Sequence, residues 1–217
     1  MRDPCNPATL RTPPASARDH RGPCILNYPT PRQAGTVATA TASGDGAANA
    51  VTFISGTTAT KLLWPESSIP STFTVCSVTR YTGGSRGRIL NCHNGPSQSG
   101  NWLHGHYNSQ RGEAYYNGVS FLTARANHGV LDDWLVMCGT NAEATVPGNI
   151  ILDQDEIGTN DGGNGGYRLN IGYYETSDWA LQSLLIWNYS LGTGPALWHT
   201  SKTLSQVLLT WLVPWCD

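Results

Sequence analysis

The sequence predicts an all-β protein, a two-sheet antiparallel sandwich preceded by an extended N-terminal arm. Three observations lead there. Charged residues make up only 13% of the 217 residues, about half the roughly 25% of an average soluble domain. Gly, Thr, Ser and Asn take their place, a composition that suits short strands and many turns. From Val51 to Trp187 short β-branched and aromatic runs alternate with Gly, Asn and Pro turn signals. Eight tryptophans supply large rings for a core or for ligand platforms.

Residues 1–35 differ from the rest. Pro4, Pro7, Pro13, Pro14, Pro23, Pro29 and Pro31 fall there among several arginines, with little apolar periodicity. The stretch reads as an extended arm, and residues 36–217 as the sandwich domain. Residues 36–50 are small and polar, a loop or an edge strand. Val51–Ile54 is a short strand, and Thr60–Trp64 a second that ends at Pro65. Thr72–Tyr81 meets Gly83-Gly84, which reads as a hairpin turn into Arg88–Cys92. Asn101–Tyr107 and Glu113–Gly118 flank a polar turn and form a further hairpin. Asp133–Cys138 is almost continuously apolar, as a central buried strand is. Asn149–Asp153 is another strand, followed by a Gly/Asn/Asp loop over 155–166. Tyr167–Gly172 and Asp178–Trp187 close the series. Leu197–Leu212 is the one candidate helix, although its tryptophans suit strands equally.

Net charge is −2 and no basic run exists, which sets nucleic-acid binding aside. No apolar stretch approaches the roughly 20 residues of a membrane span. The first twenty residues lack the apolar core of a secretory signal, so any such signal is expected to be removed or to lie upstream. Six cysteines, Cys5, Cys24, Cys76, Cys92, Cys138 and Cys216, form no C-x-x-C pair. That argues against structural zinc and for at least one disulfide in an oxidising compartment. Cys76 and Cys92 fall opposite each other if the hairpin centres on Gly84, and Cys138 is a rival partner for either. Asn188-Tyr189-Ser190 is a sequon for glycosylation at Asn188.

The order of these pieces resembles a known family. VTFISG, then STFTVCSVTRY, is similar to the opening strands of concanavalin A-like, laminin-G-like and pentraxin-like domains. DDWLVMCGTN resembles their central strand. NIILDQDEIG resembles a strand and turn, with Gln154-Asp155-Glu156 where the family usually has Asp-Gly. YRLNIGYYETSDWALQSLLIWNYSL resembles their ending. The likeness covers about residues 50–192 and implies a jelly roll with a concave sheet and a loop-rich rim. It also implies partners that are glycans, proteins or calcium-bridged ligands, in an extracellular or lumenal setting. Some relatives hydrolyse β-glucans with an E-x-D-x-x-E strand. Here the nearest text is Asp153-Gln154-Asp155-Glu156, without the flanking glutamates.

Trp102, His104 and His106 alternate and share one face of a strand, with Tyr116 across from them. Rings and imidazoles on a solvated sheet suit stacking on sugars, so these four are the expected ligand face. His-x-His with His93 or His128 is a weaker metal pattern. Asp153, Asp155 and Asp161 lie in an oxygen-rich loop and are the candidate calcium ligands. The expected function is a non-catalytic binding module, not an enzyme, recognising carbohydrate or protein. The alternative is a structural subunit docking on neighbouring subunits through its arm and C-terminus. A glycoside hydrolase of the same fold is the less supported reading, for want of the E-x-D-x-x-E strand.

Overall fold

The alternating segments do form strands. The computed structural model describes residues 30–93, 101–117, 122–123, 129–141, 149–153, 155–158, 162–192 and 195–209. In chain order the strands are β1 (Arg32–Ala34), β2 (Ala38–Gly44), β3 (Ala47–Gly56), β4 (Lys61–Leu63), β5 (Thr74–Arg86), β6 (Leu90–His93) and β7 (Trp102–Tyr107). They continue with β8 (Gln110–Tyr116), β9 (Leu122–Thr123), β10 (Leu135–Thr140), β11 (Ile150–Leu152), β12 (Asp155–Gly158), β13 (Arg168–Ile171) and β14 (Ser177–Trp187). One helix, α1 (Pro195–Leu209), follows.

Two seven-stranded sheets result. The first has the order β1-β4-β13-β6-β7-β8-β9, the second β12-β11-β10-β5-β14-β3-β2. Strand pairings in both sheets are antiparallel. Successive strands β3 to β6 alternate between the sheets. β13 then returns between β4 and β6, and β14 between β3 and β5. This is the wrapped connectivity of a jelly roll.

Residues of both sheets fill the space between them, including Leu62, Leu90, Trp102, Leu169, Val75, Met137 and Trp179. A second apolar cluster lies on the other face of the second sheet. There Val51, Phe53, Val78, Val136 and Trp187 pack beneath α1, which contributes Leu197 and Leu204. Proline at its first position suits a helix start, because the missing N–H would have no partner there. Leu197, Ser201, Leu204 and Ser205 recur at helical spacing and are buried. Pro195–Leu209, with Trp198, is therefore helical and not strand; Trp211 and Trp215 lie outside the described residues.

Several expectations change. Gly83-Gly84 does not make a turn: both lie inside β5, and the chain then crosses to the other sheet, so Cys76 and Cys92 are not hairpin partners. Cys76 is instead disulfide-bonded to Cys138, which sits directly opposite on β10. Both point into the cluster under α1, whereas Cys92 is a free thiol in the core between the sheets. Cys5, Cys24 and Cys216 lie outside the described residues. Residues 36–50 are a hairpin whose turn, Asp45-Gly46, has positive φ at both positions (51° and 81°), as two-residue hairpins with matching twist require. Arg32–Ala34, read as part of the arm, pairs with β4 at an edge of the first sheet; residues 1–29 lie outside the description. The stretch read as a loop after Asp153 opens with β12.

Candidate functional site

The four expected ligand residues are brought together, but on the inside. Trp102, His104 and His106 are fully buried and Tyr116 is 1% exposed. The Trp102 and Tyr116 rings lie 5.4 Å apart, and Phe73 meets Tyr116 edge-on at 5.1 Å. Alternation does put the three β7 residues on one face, but that face is the core. The expected solvated surface is corrected accordingly.

Hydrogen bonds make imidazoles tolerable there. His104 Nε2 lies 3.2 Å from the Met137 carbonyl, which can only accept, so Nε2 carries the hydrogen. Nδ1 therefore accepts from the Tyr116 hydroxyl at 2.8 Å. Burial lowers His104 to about 4. His106 lies lower, at about 3, through burial first and then the charge of Arg111 and the neighbouring His104. Its Nδ1 is 3.3 Å from Thr79 Oγ1. Both rings are thus neutral at physiological pH, and both His104 nitrogens are already engaged, so the His-x-His pair does not offer two free nitrogens to a metal.

Arg111 reaches the same interior because β8 carries an extra residue. His106 pairs with Arg111 and Gly105 with Glu113, which leaves Gly112 (φ 86°) as a bulge. The bulge flips Arg111 inward, where it donates to the Trp134 carbonyl at 2.8 Å and to Asp153 Oδ2 at 3.0 Å. Asp153 Oδ1 accepts the Val136 N–H at 2.9 Å. This carboxylate therefore neutralises a buried guanidinium. Asp155 lies on β12, where its backbone pairs with Leu152. Asp161 lies outside the described residues, as does His128. Among the described residues no group of three or more His, Cys, Asp or Glu could hold a metal.

The opposite face of the first sheet is the candidate site. Leu90 and Cys92 point into the core, so Asn91 between them points out; Leu169 and Ile171 do the same for Asn170. Trp102 inward sets Leu103 outward, and Ala114 and Tyr116 inward set Glu113 and Tyr115 outward. The register aligns these residues: Asn170 opposite Asn91, Asn91 opposite Leu103, and Leu103 opposite Tyr115. Asn91, Leu103, Glu113 and Asn170 are all buried, whereas Tyr107, Tyr115 and Tyr173 are half-buried.

Polar contacts tie one end of this face together. Asn91 donates to the Tyr173 carbonyl at 3.1 Å and accepts from Arg88 at 3.4 Å. The Arg88 guanidinium sits 5.1 Å from the Tyr107 ring centroid. Its Nε lies 3.1 Å from Glu175 Oε1, an ion pair without hydrogen-bond alignment. Asn170 differs: among the described residues neither Oδ1 nor Nδ2 has a hydrogen-bond partner, although the residue is fully buried. Such a group costs about 1–3 kcal/mol, and a native fold keeps one for a reason. The sequence signal for this row was a single polar residue between two apolar ones, as in Leu90-Asn91-Cys92 and Leu169-Asn170-Ile171.

Fold and face together define the class: an all-β antiparallel sandwich whose first sheet carries, on the side away from the other sheet, a buried polar row edged by half-buried tyrosines. No protein-family model matches the chain, and no curated protein matches it. Solved structures do. Trypanosoma rangeli sialidase in complex with sialic acid matches with a TM-score of 0.48 and 12% identity, over 78% of this chain and 32% of that one. The same sialidase with 2,3-difluorosialic acid, a covalent intermediate, matches at 0.46 and 13%, over 81% and 31%. The chain thus spans about a third of the sialidase's length. The reading of the chain as a non-catalytic module and not an enzyme is corrected beside these sialidase structures and is not carried forward. At this identity and score they specify neither an activity nor a substrate for this chain.

Proposed function

We propose that the chain is a carbohydrate-active β-sandwich of the concanavalin A-like type that takes a glycan on the outer face of its first sheet. The observation that carries this reading is the Asn170 amide, buried and unpartnered beside Asn91 on a face that also holds Glu113 and three tyrosines. Sugars offer hydroxyls that donate and accept to an amide, and C–H faces of the kind that stack on aromatic rings. Tyr107, Tyr115 and Tyr173 mark the accessible rim. Glu113 and Glu175 are the carboxylates through which proton transfer at a glycosidic bond would run. The buried disulfide fits a secreted or lumenal setting, and Asn188, exposed just after β14, is open to glycosylation there.

The test is a glycan array and a panel of fluorogenic glycosides with the native chain, Asn170→Ala, Tyr107→Ala and Glu113→Gln. Binding that weakens about tenfold or more in the first two variants, at unchanged melting temperature, supports the reading; a single amide–ligand bond has that worth. Turnover abolished by Glu113→Gln assigns that residue to chemistry. A glycan bound equally well by all variants places the site elsewhere and refutes the proposal.

A further inference from the structure

Among the described residues the two sheets have four edges, formed by β1 and β9 on the first sheet and β2 and β12 on the second. An edge strand presents unpaired N–H and C=O groups and invites another strand unless it is short, charged, bulged or covered. Three of these edges are protected in that way. β1 has three residues and carries Arg32, β9 has two residues, and β12 has four and opens on Asp155-Glu156. β2 is different. It is seven residues long, reads ATATASG, and is exposed at every position. It has no charge and no proline, and its one irregularity lies at the tip, between Ala42 and Gly44.

The geometry points to β2 as a self-association edge, whose occupant is β2 of a second copy of this chain in antiparallel register. Alternation puts Ala38, Ala40 and Ala42 on one face and Thr39, Thr41 and Ser43 on the other. A two-fold axis through the strand sets alanine beside alanine and hydroxyl beside hydroxyl. Within the chain the same pairing already occurs, where Thr41 and Thr52 hydroxyls meet at 2.9 Å. No like charges are brought together. The charged residue of this hairpin is Asp45 at its tip, paired with Arg80 at 2.8 Å, and antiparallel docking holds the two tips at opposite ends.

The consequence is one continuous sheet across two molecules, an isologous contact that closes on itself. The protected edges stop further growth, so the assembly ends at a dimer. One strand pair of this length buries less than the ~1,000 Å² of a stable interface, so association is weak and depends on concentration. This inference is independent of the glycan face, because β2 lies in the other sheet.

Sedimentation velocity of the full chain, from about 1 µM to about 200 µM, covers the range of such an interface. The native chain is expected to pass from monomer to dimer within it. Ala40→Lys and Thr39→Lys, on opposite faces of the exposed strand, place like charges against their copies. Each is expected to weaken dimerisation tenfold or more with an unchanged melting temperature. A native chain that stays monomeric throughout, species larger than a dimer, or variants that dimerise as well as the native chain would overturn the assignment. So would capture of a strand from a different protein in preference to a second copy.

Discussion

The Tyr116 hydroxyl donates to His104 Nδ1 across two neighbouring strands, deep between the sheets, at 2.8 Å. With Nε2 committed to the Met137 carbonyl, the ring links β8, β7 and β10 and so joins both sheets. Tyr116→Phe removes the donor and strands a buried nitrogen. A loss of about 1–3 kcal/mol is expected, read by urea denaturation at neutral pH.

The same rings make the fold acid-sensitive. His104 falls to about 4 and His106 to about 3 in the folded state, mainly through burial, against about 6.5 in the unfolded chain. The unfolded state therefore binds more protons between those values. The stability is fully present above about pH 6.5 and is progressively lost as pH falls toward about 4, by an order of 3 kcal/mol for each ring. Melting temperature should drop between about pH 7 and about pH 4.5, and His106→Gln should flatten that slope. A slope unchanged by His106→Gln and by His104→Gln would show that other groups govern it.

Trp102 is core and not a ligand platform. Trp102→Ala should cost about 3–5 kcal/mol by emptying the space against Phe73 and Tyr116. A variant that melts within about 0.5 kcal/mol of the native chain, as surface substitutions do, would contradict the burial.

Asp153 is the anionic partner of buried Arg111. Asp153→Ala leaves the guanidinium uncompensated and also removes the acceptor for Val136. Because this carboxylate is partly exposed, a loss of about 2–3 kcal/mol is expected, somewhat less than for a fully buried pair. Equal loss with and without added calcium in a chemical denaturation series would show the role to be charge pairing.

The Cys76–Cys138 bond closes a loop across 62 positions, and chain entropy gives such a bond about 4 kcal/mol. Non-reducing peptide mapping should recover that bridge. Cys92 should alkylate only after unfolding, because burial raises its thiol well above the ordinary range. Rapid labelling of Cys92 in the native chain would be the contrary result.

Much of the strand series was legible because alternation is a local property. Asp133–Cys138, Tyr167–Gly172 and Asp178–Trp187 stand close to where β10, β13 and β14 are found. The helix was legible as one of two alternatives, its start to within a few residues. The Gly83-Gly84 turn was misread because glycine permits a turn without requiring one. There β5 continues along β14, where Ser177 pairs with Arg86 and Trp179 with Tyr81. The orientation of β7 was misread by a single step of phase. Trp102, His104 and His106 do share a face, but Leu103, a natural core residue, lies on the other side with Asn91, Asn170 and Glu113.

The sequence by itself determined the all-β class, the strand periodicity and the sharing of faces, because these follow from backbone geometry and from neighbours two residues away. Only the tertiary structure decided which face turned inward. That choice depends on what the opposite sheet offers. Met137 brings a carbonyl to His104 and Thr79 a hydroxyl to His106, each from a strand distant in sequence. The disulfide was settled in the same way. β10 pairs with β5 in the second sheet, whereas β6 was carried into the first, so Cys138 and not Cys92 came to lie opposite Cys76.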